Sequence, residues 1–153
     1  KTIRTNLGFL AHGAHLYDDL NAKENLEFAL ALHGKNPTDR DIKLALDRVS
    51  IGAFAEVKVR NYSAGMKKRL ALAKTILAKP KVLLLDEPFT ALDTAGAEIM
   101  REYIRERLSE NGSVLLSTHD QDKARPITNR AGVLQQGSIK EIPIEALKSN
   151  DFF

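Results

Sequence analysis

Residues Asn61 to Asp93 read NYSAGMKKRLALAKTILAKPKVLLLDEPFTALD, and this stretch decides the fold. Ser63, Ala64 and Gly65 make a small-residue turn ahead of a run of good helix formers, Lys67 to Ala78. Pro80 stops that helix. Val82–Leu85 is continuously apolar, the pattern of a strand buried on both faces of a parallel sheet, and it runs straight into Asp86-Glu87. A helix start suited to phosphate, followed by a strand that delivers two carboxylates, fits nucleotide hydrolysis, which needs a held metal and an oriented water.

The flanking sequence supports an α/β architecture. Residues 3–11 read as a short strand. Asp18-Asp19-Leu20-Asn21 offers caps for a helix over about 22–34, with Leu26, Ala29, Leu30 and His33 on its inner face. Gly34, Asn36 and Pro37 end it, and a second helix over about 39–50 buries Ile42, Ala45, Leu46 and Val49. Residues 94–110 form a helix with Ile99, Met100, Tyr103, Ile104 and Leu108 inward, closed by Asn111-Gly112. Ser113–Ser117 is a further strand. A helix near 120–129 is interrupted by Pro126, and a hairpin then turns at Gln136-Gly137. Strands alternating with helices predict a parallel sheet with helices against it.

Composition narrows the function class. A net charge of +3, from 23 basic and 20 acidic residues, is too mild to imply a nucleic-acid partner. Lys67, Lys68 and Arg69 form the one basic cluster, which reads as a solvated helix face rather than a binding patch. Cysteine is absent, which removes disulfides, thiolate metal sites and a cysteine nucleophile. No apolar run approaches the roughly 20 residues that span a bilayer.

Three groups of residues carry chemistry. Asp86 ends an apolar strand, where ligands of α/β sheets gather, and can hold Mg²⁺ directly or through water. Glu87 beside it can polarise the attacking water. An isolated Asp-Glu pair would be a turn before Pro88; the apolar strand ahead of it favours a site. His119 follows the next strand and could donate to a γ-phosphate, although a histidine there alone would be a loop residue. Ser63 is by itself a plain N-cap, yet the free N–H groups at that helix start, with Gly65 admitting close approach, also suit a phosphate.

These residues resemble the motifs of ATP-binding cassette (ABC) ATPases. YSAGM followed by KKRLALAK is similar to the signature motif, VLLLDEP to the Walker B strand with its catalytic glutamate, TALD (Thr90 to Asp93) to the D-loop, and STHD (Ser117 to Asp120) to the switch-histidine loop. The resemblance implies a partial P-loop NTPase, a RecA-like parallel sheet with an inserted helical signature subdomain. Residues 1–14 then hold the Q-loop region, 15–79 the helical subdomain and 80–153 the latter part of the core. Leu16 to Phe28, LYDDLNAKENLEF, resembles heme-exporter-type ATPases of cytochrome c maturation, and related drug exporters share much of it.

By resemblance, Glu87 and His119 are catalytic and Asp86 holds the metal. His12 stands where the family has the Q-loop glutamine that approaches the metal. Ser63, Ala64, Gly65, Met66 and Asp93 contact nucleotide, with ATP and Mg²⁺ as ligands. Tyr62, Ala64 and Met66 replace the family's Leu, Gly and Gln. No G-x-x-x-x-G-K-[ST] phosphate cradle occurs. The expectation is therefore the C-terminal part of a cassette, inactive alone, from the ATP-hydrolysing subunit of a membrane transporter. Its expected partners are a second ATPase subunit, head to tail, and a transmembrane permease, at the cytoplasmic face of the cell membrane. The competing expectations are a soluble cassette ATPase of DNA repair or translation, and an inert binding module.

Overall fold

A computed structural model of the protein describes residues 6–11, 13 and 15–147. These fall into two compact units, one ending at Ser117 and the other beginning at Thr118. The first contains β1 (Leu7–Leu10), α1 (Ala22–Leu32), α2 (Asp39–Arg48), α3 (Ala64–Ala78), β2 (Val82–Asp86), α4 (Thr94–Ser109) and β3 (Ser113–Ser117). The second contains a short helix, α5 (Gln121–Ala124), and the antiparallel hairpin β4 (Ala131–Gln135) and β5 (Ser138–Ile142).

Helix α1 begins where the sequence places its cap, and the structure adds a second cap, on α2. Asn21 and Glu24 form a reciprocal capping box on α1, and Thr38 and Asp41 do the same on α2. Helix α3 ends at Lys79 in the left-handed conformation, one residue before Pro80, and the Lys35 ammonium donates to the Ala78 carbonyl at that end. Asn111 is left-handed as well, and Gly112 donates to the Arg107 carbonyl at 2.8 Å to close α4. The core follows the predicted helical spacing through Leu26, Leu30, Ile42, Ala45, Leu46, Val49, Met100, Tyr103 and Ile104. Leu108 is instead exposed, and Arg107 takes the buried position beside it. The Tyr103 ring accepts the Arg48 and Arg107 guanidiniums over its π-face, and its hydroxyl donates to the Thr75 carbonyl at 2.8 Å. Burial pushes that hydroxyl's pKa up to about 12.

The three strands of the first unit pair in parallel in the order β1-β2-β3. Register places Gly8, Leu83 and Val114 in one row and Leu10, Leu85 and Leu116 in the next, all on one face. Leu83 and Leu85 are buried there, and Gly8 accommodates Pro80, whose ring would lie 2.5 Å from an added Cβ. The opposite face corrects the expectation of strands buried on both sides. Its row Phe9, Leu84, Leu115 is open, with Phe9 54% and Leu115 69% exposed, and Val82 is exposed in the next row. The apolar sequence is right for a covered sheet, but no described residue covers this face.

An uncovered apolar face on a sheet with two edge strands favours association. The 153-residue chain alone is therefore expected to self-associate at micromolar concentration. Phe9→Lys with Leu115→Lys should shift it toward monomer without lowering its thermal midpoint, because both side chains are already exposed. Light scattering and a melting curve check this; a monodisperse parent chain would refute it.

Candidate nucleotide site

The site is built on the end of β2. Asp86 lies opposite Ser117 in the parallel register, and the Ser117 hydroxyl donates to Asp86 Oδ1 at 2.7 Å. One residue on, the Glu87 amide donates to the Ser117 carbonyl at 2.9 Å. Glu87 has a φ of +46°, a left-handed conformation that a non-glycine residue keeps only when its surroundings hold it. Its carbonyl accepts from the Thr90 amide, and buried Phe89 anchors the following turn. Asp86 and Glu87 are both half-buried.

A second cluster joins the start of α3 to the segment before α4. Ser63 Oγ accepts from the Met66 amide at 3.2 Å, so the sequence-predicted N-cap forms. Gly65 packs so closely on the 89–92 turn that an added Cβ would lie 2.8 Å from the Ala91 carbonyl oxygen. Ala91 is itself left-handed, with a φ of +65°. Asp93 caps α4 by accepting from the Gly96 amide at 2.8 Å and pairs with Arg69 Nη2 at 2.6 Å. The Gly96 amide, aided by the Arg69 guanidinium, holds the Asp93 carboxyl below its usual range. Ala64 is exposed and Met66 half-buried at this helix start. Tyr62 is buried just before it, and its hydroxyl donates to the Phe54 carbonyl at 2.7 Å, so it serves as an anchor.

The basic cluster is not a solvated face, which corrects the sequence expectation. Lys67 pairs with Asp18 at 2.7 Å, and Arg69 also donates to the Val49 carbonyl at 2.9 Å. Lys68 is only 4% exposed, and its ammonium lies 3.4 Å from the Ala11 carbonyl and 3.5 Å from the Asp86 carbonyl. The helical period gives the reason: three consecutive residues point in different directions, each toward its own acceptor. Ser117, Lys68 and Arg69 lie within the motifs of the sequence but have no role assigned there; the structure makes them neighbours of the site. The apolar residues flanking the cluster, which bury α3 nearly all round, were the available signal.

His12 lies outside the described residues. His119 belongs to the second unit, where it is exposed on the loop leading into α5. In that loop Asp120 accepts from the Lys123 amide at 3.1 Å and pairs with the Lys123 ammonium, which holds its carboxyl below the ordinary range. Among the described residues no group of three or more histidine, aspartate or glutamate side chains could enclose a metal. Asp86 with Glu87 nevertheless fits Mg²⁺, which keeps several waters and binds through one or two carboxylates together with substrate phosphates.

A protein-family model described as ABC transporter matches residues 1–90 of the sequence. The chain belongs to the ABC transporter family. It is 35% identical over 130 residues to the spermidine/putrescine import ATP-binding protein PotA of Mesoplasma florum, covering 83% of this chain and 37% of that protein. It is 38% identical over 112 residues to the cytochrome c biogenesis ATP-binding export protein CcmA of Pseudomonas syringae pv. syringae, covering 72% of this chain and 52% of that one. The chain therefore spans about half the length of these relatives, or less. Among solved structures it resembles the ATP-binding cassette MJ0796, a dimer in a post-hydrolysis state bound to ADP and Pi. The TM-score is 0.82 at 25% identity, covering 93% of this chain and 65% of that one. The fold is that of an ABC ATPase cassette, a P-loop NTPase sheet with its helical insertion.

The close seat of Gly65 on Ala91 yields a test. Alanine is the better helix former by up to about 1 kcal/mol, so propensity alone predicts a gain for Gly65→Ala. The backbone oxygen at 2.8 Å predicts a loss of about 1–3 kcal/mol from overpacking. Denaturant unfolding decides between them, and a stabilised variant would refute the packing argument.

Proposed function

We propose that this chain forms the hydrolytic half of an ATP-binding cassette that powers a membrane transporter. The observation that carries the proposal is the Asp86–Glu87 pair at the end of β2, tied to Ser117 of β3 through a side-chain and a main-chain hydrogen bond. Asp86 would hold Mg²⁺, which when bound supplies neutralising charge to phosphate oxygens. Glu87, whose backbone is fixed by the Ser117 carbonyl, accepts a proton from the attacking water. His119, by its family position, donates to the γ-phosphate.

Ser63, Ala64, Gly65 and Met66 present the amides of the α3 start to the nucleotide of a second cassette, arranged head to tail, and Asp93 lies at that interface. Support comes from the 15-residue length of α3, which gives its N-terminus a full dipole, and from the Gly65–Ala91 and Arg69–Asp93 contacts that tie it to the D-loop segment. A transmembrane permease at the inner face of the membrane completes the proposed assembly. Leu16–Phe28 and the CcmA relatives support an export role such as that of heme exporters, whereas the PotA relative is an importer. Transport is the part of the role that the names of both relatives share.

Two outcomes test it. In the full-length protein, Glu87→Gln should keep ATP affinity within about twofold and lower turnover by on the order of 10²–10⁴-fold, because the amide keeps the shape without the basicity. Parental turnover in that variant would remove Glu87 as the base. The 153-residue chain alone, whose sequence has no lysine-bearing phosphate cradle, should release phosphate far more slowly than about 1 s⁻¹ with Mg²⁺ and ATP. Turnover on that scale would mean that these residues suffice.

A further inference from the structure

Lys68, in the first turns of α3, is a buried cation that the proposed chemistry does not use. Its ammonium is buried at the carboxyl ends of two strands, 3.4 Å from the carbonyl of Ala11, which follows β1, and 3.5 Å from that of Asp86, which ends β2. A buried ammonium is costly unless acceptors and opposite charge surround it. Both are present here: two carbonyls at the head group, and the Asp86 and Glu87 carboxylates, whose charges oppose the fall in its pKa that burial causes. The next residue after Asp86 is the left-handed Glu87, so the peptide that Lys68 grips is the one leading into the strained position.

We propose that Lys68 is a positioning residue for the hydrolytic site: its cationic clamp on the Ala11 and Asp86 carbonyls fixes the exit of β1 against the Asp86–Glu87 turn and sets where the Glu87 carboxylate stands. The clamp rests on the hydrolytic assignment of Glu87. At one atom it joins three pieces: the helix that begins at Ser63, the end of β1 and the end of β2. A displacement of the segment after Leu10 would thereby reach Glu87 without passing through the sheet.

Three variants of the full-length protein, Lys68→Met, Lys68→Arg and Glu87→Gln, test the clamp. Methionine is close to lysine in volume and the position is buried, so the fold should survive, while the cation is lost. Lys68→Met should lower kcat by on the order of 10–100-fold and leave KM for ATP within about twofold, because a base shifted by a fraction of an ångström loses transition-state contact but not binding. Lys68→Arg, which keeps the charge, should recover most of that loss. In the nucleotide-free protein, the Glu87 amide should exchange with solvent faster in Lys68→Met while Leu83 and Leu85 keep parental protection.

The clamp is overturned if Lys68→Met turns over at the parental rate, if Lys68→Arg is as impaired as Lys68→Met, or if exchange accelerates across the whole sheet. Glu87→Gln separates the two levels. Parental turnover there removes the hydrolytic assignment and the clamp with it. An inactive Glu87→Gln beside a parental Lys68→Met removes the clamp alone.

Discussion

The parallel pairing of β2 with β3 is the constraint on which the rest depends. Its register sets Asp86 opposite Ser117, and from that alignment come the hydroxyl on the Asp86 carboxylate and the Ser117 carbonyl on the Glu87 amide. A slip of one residue would carry Leu83 and Leu85 from the buried face to the open one and would turn Asp86 to the other side. The apolar core under that face opposes the slip. Hydrophobic burial thus fixes the position of two carboxylates that contribute little to stability themselves.

Helix α3 distributes this order to the neighbouring elements. It packs on β1, on the two helices before it and on α4, and its three successive basic side chains each satisfy a different acceptor. Lys67 reaches Asp18 near the surface, where an ion pair contributes little. Arg69 is largely covered and bridges the end of α2 to Asp93 through two separate hydrogen bonds, which fixes direction as well as charge. Lys68 turns inward to the strand ends. A positive cluster in the sequence has become three internal ties.

The left-handed residues Glu87 and Ala91 stand at the two turns of the segment between β2 and α4. Such conformations cost roughly 1–3 kcal/mol each for ordinary residues, so the contacts that hold them must be firm. At Glu87 these are the Ser117 carbonyl and the Thr90 amide; at Ala91 the neighbouring contact is the tight approach of Gly65. The exposed face through Phe9, Leu84 and Leu115 is the converse case. Its side chains have the composition of a core, yet Phe9 and Leu115 stand largely exposed and Leu84 is only half-buried.

Much of this was legible in the sequence because it is local. The capping residues Asn21 and Ser63 act within three or four positions of themselves, and the strand ending at Asp86, the stop at Pro80 and the close of α4 at Asn111-Gly112 follow from side-chain type alone. The order of the motifs from Ser63 to Asp120 fixed the family, which the match over residues 1–90 shows. What the sequence left undecided concerns groups far apart along the chain. Pattern at Val82–Leu85 could not tell one covered face from two, because apolarity records the environment that a strand is suited to, not the neighbours it has. Nor could it separate Lys67, Lys68 and Arg69, since identical charge says nothing of direction. Tertiary packing alone brought Lys68 to the carbonyls of Ala11 and Asp86, Arg69 to Asp93 and Ser117 to Asp86, since desolvation lets a buried charge rest only where acceptors from other elements converge.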